Sequence, residues 1–224
     1  MMGNCQYIFK IKSTMRIKLK ECEPIGTNAY CLLNDDLKQA ILVDAPLGSF
    51  EWSSEFCKKY NYELVAVLLT HGHWDHILDA HLFNEQKIPL YGHRADSLLF
   101  EQPERMMQYA IPGINIRALE INRWIETGAI SVGEFSFEVF EVPGHCPGSL
   151  MFYQKDSNAA FVGDAIFAGG VGRCDLPGGD FKVLEASILN KIYTLPLDTQ
   201  LYPGHGPMTT VRIERSGNPF VSIP

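Results

Sequence analysis

Apolar and polar residues alternate strictly through Met15-Arg16-Ile17-Lys18-Leu19-Lys20, which predicts a strand with one buried face. Asn28 to Asn34 and Gln39 to Val43 read as two further strands, joined at Asn34-Asp35-Asp36 as a hairpin, with Val43-Asp44-Ala45-Pro46 ending the second. Ser49 or Ser53 offers a cap for a helix running to Tyr60. Leu64 to Leu69 is almost wholly apolar, as expected of a strand covered on both faces. A helix from Ile77 to Gln86, a short strand from Ile88 to Tyr91 and a helical turn or two from Ala95 to Phe100 follow. Between Glu101 and Asn122 the periodicity fades, and Pro103, Pro112 and Gly113 mark a loop-rich segment suited to a lid or rim. Two more hairpins are predicted: Ile130 to Val132 with Phe135 to Val142, and Leu150 to Gln154 with Ala159 to Val162. Val183, Leu184, Ile188 and Ile192 recur at helical spacing within Phe181 to Tyr193, and Gln200-Leu201-Tyr202 makes a last strand. Strand groups alternating with helices in each half imply an α/β protein in which two sheets pack together with helices outside. The first fourteen residues, ending in Ser13-Thr14, have weak periodicity, so an extension or edge strand (1–14) is expected ahead of a domain spanning 15–224.

Composition narrows the class. The chain has 224 residues, 46% hydrophobic and 20% charged, which suits one large globular domain with a real core. No apolar run approaches the ~20 residues of a membrane span, and the mixed N-terminus lacks the apolar core of a secretory leader. A formal charge of −7 argues against the basic face that nucleic-acid binding requires. Six cysteines at scattered positions, with no CxxC pair, read as reduced thiols of a cytoplasmic protein. Cys146 adjoins His145, which invites a nucleophile reading; a small buried thiol explains it as well.

The chemistry concentrates at the ends of predicted strands. Thr70-His71-Gly72-His73-Trp74-Asp75-His76 directly follows the buried run Leu64 to Leu69. Imidazole and carboxylate are the ligands that zinc and non-haem iron prefer, and open α/β sheets carry their sites beyond the carboxyl ends of strands. Pro143-Gly144-His145 and Pro203-Gly204-His205 repeat one tight-turn context after two later strands. Phe161-Val162-Gly163-Asp164 adds an acid at another strand end. His71, His73, His76, His145 and His205 with Asp75 and Asp164 suit two ions better than one, because a tetrahedral structural site needs only four ligands. His81 and His93 are left for a helix face and a turn.

His71-Gly72-His73-Trp74-Asp75-His76, the two Pro-Gly-His turns and Gly163-Asp164 stand in the order and spacing that resemble the metallo-β-lactamase superfamily, over about residues 15 to 220. The resemblance implies an αββα sandwich of two mixed β-sheets flanked by helices. It implies His71, His73 and His145 on one metal, Asp75, His76 and His205 on a second, and Asp164 bridging them together with a water or hydroxide. Two divalent ions are expected, Zn2+ ahead of Fe2+ or Mn2+.

Gly170-Val171-Gly172-Arg173 and the run from Gly204 to Thr210 resemble the short, single-domain glyoxalase II-like hydrolases, whose basic residue at the position of Arg173 binds the glutathione part of the substrate. The chain stops near residue 224, without the C-terminal helical domain that completes the glutathione site of full-length glyoxalase II. The resemblance therefore implies thioester cleavage, with small S-acylglutathione-type substrates as partners, and Asp75 orienting the nucleophile. Gly172-Arg173-Cys174-Asp175 and Lys191 to Pro196 also resemble persulfide dioxygenases, which hold one iron on residues matching His71, His145 and Asp164; that is the alternative function. A lactonase, a β-lactamase and a non-catalytic metal-binding module rank below it. Oligomeric state leaves no mark in the sequence.

Overall fold

The computed structural model describes residues 15–223 and, for the backbone alone, 8–10. Strands β1 (Ile8–Lys10), β2 (Met15–Cys22), β3 (Thr27–Asn34) and β4 (Gln39–Val43) form an antiparallel meander. The chain then crosses over through helix α1 (Ser49–Tyr60) and returns parallel to β4 as β5 (Glu63–Leu68). Short helices α2 (Trp74–Ile77) and α3 (Ala80–Glu85) lead to β6 (Leu90–Gly92), and α4 (Ser97–Glu101) and α5 (Glu104–Met107) lead to β7 (Arg123–Trp124). These two strands complete the sheet in parallel.

The second half repeats that plan. Strands β8 (Gly128–Val132), β9 (Phe135–Glu141), β10 (Leu150–Gln154) and β11 (Ala159–Gly163) form the meander. A small hairpin, β12 (Ile166–Phe167) with β13 (Gly170–Val171), and helix α6 (Phe181–Ser187) make the crossover. Strand β14 (Gln200–Pro203) returns parallel to β11, β15 (Thr209–Thr210) flanks it, and α7 (Val211–Gly217) closes the described chain.

Period-2 alternation explains why there are three apolar layers. Along β2 and β3, Ile17, Tyr30 and Leu32 face the second sheet, where they meet Phe137, Phe152, Phe161 and Tyr202. Their neighbours Cys22, Cys31 and Leu33 face outward, under Trp74, Ile77 and Phe83 of the first helical layer. On the second sheet Met151, Tyr153, Ala160 and Leu201 point away from the first, onto Leu184, Ile188, Ile192 and Val211. Both sheets are mixed and each is covered by helices, which is the expected αββα sandwich. Strands β10 and β11 are buried at every position because both their faces are covered.

Several local expectations need correction. The helix expected over 77–86 is two pieces, α2 and α3, because the Asp79 N–H donates to Ala45 O (2.9 Å) instead of continuing the helical ladder, while its carboxylate accepts from the Phe50 N–H at 2.9 Å. That same bond caps α1; neither Ser49 nor Ser53 does, and the N-cap position is Gly48. The periodic stretch 181–193 begins as α6 but continues as a π-helical turn over Ile188–Ile192. The strand expected over 88–91 is shifted to Leu90–Gly92, and the loop-rich segment 101–122 contains the single turn α5. For the N-terminal segment, β1 pairs with β2 (Phe9 opposite Ile17), and the expectation for 1–7 and 11–14 lies outside the described residues. Among the described residues no helix is long and apolar enough to cross a membrane.

Candidate metal centre

Five strand ends converge. Beyond β5 the chain delivers His71, His73, Asp75 and His76; beyond β9, His145; beyond β11, Asp164; beyond β14, His205; and beyond β4, Asp44. Hydrogen bonds stitch the two sheets together at this edge. Leu150 N–H donates to Thr70 O (2.8 Å), Asn28 N–H to Gly204 O (2.7 Å) and Tyr30 Oη–H to Pro203 O (2.6 Å).

The ligating atoms of His71, His73 and His145 form one tight group, and those of Asp75, His76 and His205 form another, each with all atoms within 4.8 Å of one another. Asp164 stands between the groups: its Oδ2 lies 3.5 Å from both His145 Nε2 and His205 Nε2, and its Oδ1 lies 3.3 Å from His76 Nε2. All seven expected residues are thus brought together. His81 and His93 stay apart, with His81 Nδ1 3.0 Å from Leu78 O and His93 Nδ1 accepting from the Ala95 N–H at 3.3 Å.

Outer contacts fix which imidazole nitrogen faces inward. Arg173 O can only accept, so His145 Nδ1 donates to it at 2.7 Å and turns the Nε2 lone pair inward, 3.2 Å from His71 Nε2. His76 Nδ1 donates to Asp44 Oδ2 at 2.8 Å. Asp44 also accepts from Thr70 N–H and Thr70 Oγ1–H (2.8 Å each), and that hydroxyl lies 3.1 Å from His71 Nδ1. Thr27 Oγ1 donates to Asp75 Oδ2 at 2.8 Å. Removing such supporting contacts typically costs 10- to 100-fold in metal affinity. Asp44→Asn keeps one oxygen for Thr70 but presents an amide to His76, so a loss of that size in competitive chelator titration is the expected result. An affinity equal to wild type would refute the orienting role.

The electrostatics suit cations. Burial, reinforced by His76 and His73, pushes His71 well below its ordinary value, and burial with His145 nearby brings His73 down to about 3, so both are neutral donors. Burial opposes charge on His76 too, but Asp75, Asp164 and Asp44 outweigh it and hold that imidazole well above its ordinary value. Burial would raise Asp164, yet His76, His145 and His205 hold its carboxyl far below the usual range. Two buried polar atoms, His76 Nε2 and Asp164 Oδ1, have no hydrogen-bond partner. Atoms of this kind are costly to bury bare; a cation between them supplies what they lack, and the donor set fits metal ions.

Cys146 is fully buried, and its Sγ lies 3.1 Å from both Asp96 oxygens. Burial and the Asp96 carboxylate push this thiol well above its ordinary value, so it is a hydrogen-bond donor and not a nucleophile. Native protein at pH 8 is expected to leave Cys146 unlabelled by iodoacetamide in a peptide map; rapid labelling would overturn this assignment. Asp96 also accepts from Gly72 N–H (2.8 Å) and Gly148 N–H (2.6 Å), tying together the turns that carry His71, His73 and His145.

Sequence reasoning did not single out Asp44, Thr27, Thr70 or Asp96. Asp44 carried a usable signal, an acid placed directly after a buried strand just as Asp164 is. Arg173 reaches the rim of the site, but its guanidinium is exposed and paired with Asp175 (2.7 Å), while its carbonyl is what orients His145. A cavity of about 430 Å³ opens on five of the seven, His73, Asp75, His145, Asp164 and His205, and is walled by Ile25, Trp74, Tyr109, Phe167 and Arg173.

A mixed-sheet αββα sandwich with histidine and aspartate groups gathered at its strand ends is the architecture of a metallo-hydrolase. The chain belongs to the metallo-β-lactamase superfamily, whose domain matches residues 25–205. It is 37% identical to the probable metallo-hydrolase YqgX of Bacillus subtilis, covering 89% of this chain and 94% of that one. It is 36% identical to the hydroxyacylglutathione hydrolase GloC of Haemophilus influenzae (85% and 91% covered). A likeness of 29% extends to the mitochondrial persulfide dioxygenase ETHE1 of Homo sapiens (90% and 74% covered). Among solved structures, the B3 metallo-β-lactamase BLEG-1 superposes with a TM-score of 0.85 at 37% identity, covering 92% of this chain and all (100%) of that one. TTHA1623 in a di-iron-bound form does so with a TM-score of 0.75 at 34% identity, covering 91% and 99%.

Proposed function

We propose that this protein is a binuclear metal-dependent hydrolase that cleaves S-acylglutathione-type thioesters to a carboxylic acid and a thiol. The observation that carries the reading is Asp164, a single carboxylate shared between two complete three-residue groups. His71, His73 and His145 would hold one divalent ion and Asp75, His76 and His205 the other, zinc being the first candidate and iron or manganese the others. When bound, such a pair lowers the pKa of a water held between the ions and polarises a carbonyl oxygen.

The chain's own residues supply orientation and shape. Thr27 and His205 (3.2 Å) pin Asp75 Oδ2 beside His76 Nε2 (3.3 Å), which fixes this carboxylate in the lining of the cavity. Trp74, Tyr109 and Phe167 wall that space and restrict water around the scissile carbonyl. Arg173 lies where an anionic thiol half would end, and a substrate carboxylate would take it from its partner Asp175. The cavity lining has no carboxyl or imidazole outside the seven. A thiolate, whose conjugate acid has a pKa of ~8.5, leaves without a general acid, whereas an amine does not. That difference favours thioesters over amides.

Protein loaded separately with zinc, iron and manganese should hydrolyse S-lactoylglutathione, lose the activity to a chelator and regain it with metal. Nitrocefin serves as the comparison substrate because of the likeness to BLEG-1, and slower turnover than the thioester is expected. Likeness to ETHE1 supports a second reading, persulfide dioxygenation. Oxygen uptake with glutathione persulfide, together with inert thioesters, would replace the first reading by the second.

A further inference from the structure

A second cavity, of about 390 Å³, opens beside the first and shares His73, Tyr109 and Leu176 with it. Leu98, Leu99, Met106, Pro147 and Pro177 line it beside Gln108 and Arg105, and the two carboxylate oxygens of Asp96 in its lining are already occupied by Gly72 N–H, Gly148 N–H and the Cys146 thiol. The Arg105 side chain is turned to Gln102, with Nε 2.7 Å from Oε1. The surrounding segment keeps large apolar side chains in water: Leu98 is 46% exposed, Met107 45%, Tyr109 37% and Ile111 40%. A cluster of exposed apolar residues beside a site marks a surface that a ligand covers.

We infer that this second cavity is the acyl pocket, and that the protein prefers thioesters of straight-chain fatty acids of about six to eight carbons over lactoyl or acetyl thioesters. The inference rests on the thioesterase reading. Two substituents leave the scissile carbonyl, and two cavities leave the metal centre. Glutathione is anionic and polar, which suits the cavity holding Arg173; an alkyl chain suits the cavity whose one cation, Arg105, is exposed and turned to Gln102. Size permits it: an engineered cavity of ~150 Å³ lined by apolar side chains holds benzene, a six-carbon ring, so about 390 Å³ has ample room for a chain of six to eight carbons. His73 lies in both linings, at the junction where the carbonyl would sit.

Two series on metal-loaded protein test this. In the first, kcat/KM is measured for S-acetyl-, S-butanoyl-, S-hexanoyl- and S-octanoylglutathione. In the second, the Kd of S-methyl-, S-butyl- and S-hexylglutathione, which cannot be hydrolysed, is measured by calorimetry. Both quantities are expected to improve about fourfold per methylene until the cavity is full. Leu98→Asp, at a half-exposed helical position, should cut the advantage of hexanoyl over acetyl at least ~10-fold, and Leu98→Trp should shorten the optimal chain. Cleavage of S-acetylglutathione with no gain from longer chains removes the acyl pocket and leaves the thioesterase reading standing. So does a Leu98→Asp variant that loses the same factor on every chain length. Failure to cleave any thioester, with no binding of the S-alkyl series, removes both.

Discussion

Asp164→Ala is expected to yield a folded chain that binds fewer than two ions and hydrolyses thioester at least ~10³-fold more slowly. A metal-polarised transition state is worth several kcal/mol, and about 4 kcal/mol is three powers of ten in rate. The substitution removes the one carboxylate that touches His76, His145 and His205 at once, so on the proposed reading each ion would lose a ligand. The fold should survive with some loss of stability. Asp164 is buried, and the imidazoles of His76, His145 and His205 hold it ionised, so alanine removes favourable electrostatics along with the desolvation cost of the carboxylate. The signature is therefore the response to chelation. A ligand at 1,000 times its Kd stabilises a native state by about 4 kcal/mol, or roughly 10 °C in Tm for a domain of this size. Wild type should lose about that much on chelation, whereas Asp164→Ala should barely respond. Metal content by mass spectrometry and paired melting curves check this. Two ions per chain in the variant, with wild-type rates, would remove Asp164 from the centre.

The same burial explains what could be read from the sequence. Leu64 to Leu69 was legible as a strand because a strand covered on both faces must be apolar at every position, and β5 lies between two covered faces at its C-terminal end. The histidines were legible because a strand end fixes where the next residues point. The twin Pro-Gly-His turns were legible for the same reason. Asp96 was not: its three partners lie 24, 50 and 52 residues away, and nothing in Arg94-Ala95-Asp96 marks a carboxylate that will hold two distant turns together. The break between α2 and α3 was hidden in the same way, since it depends on the Asp79 N–H reaching Ala45 O, 34 residues earlier in the chain. Segment 101–122 resisted reading because its apolar residues split between a core, with Met106, Ile116 and Leu119 buried, and a wetted rim, with Met107, Tyr109 and Ile111 exposed. A single sequence period cannot describe two such surfaces at once.

The two Pro-Gly-His turns require glycine for different reasons, and the difference gives the second large effect. At Gly144 a Cβ would lie 2.2 Å from Leu184 N, and φ is +127°, so alanine there attacks the packing of α6 and should destabilise the whole chain. At Gly204 φ is not in the left-handed region; the obstacle is the site. A Cβ would stand 2.1 Å from Asp164 Oδ1 and 2.6 Å from His76 Cε1, and the backbone cannot retreat, since Gly204 N–H donates to Gly163 O at 2.8 Å and Gly204 O accepts from Asn28 N–H at 2.7 Å. The side chains must yield, and they are the carboxylate that stands between the two groups and an imidazole of the second. Gly204→Ala should therefore cost only ~1–3 kcal/mol of stability as overpacking. Activity should fall at least ~10²-fold, because a displacement of about 1 Å at reacting groups is worth that much. Metal analysis should show the Asp75, His76 and His205 group emptied first. Gly206→Ala, two residues on, supplies the contrast. Its φ is +71° with nothing within 4 Å of the added carbon, so it should lose ~1–2 kcal/mol to backbone strain and keep both ions. If the two variants lose activity and metal alike, the effect at Gly204 is general disturbance of the turn. If only Gly204→Ala does, one methyl group will have separated Asp164 from His76 and located the second ion between them.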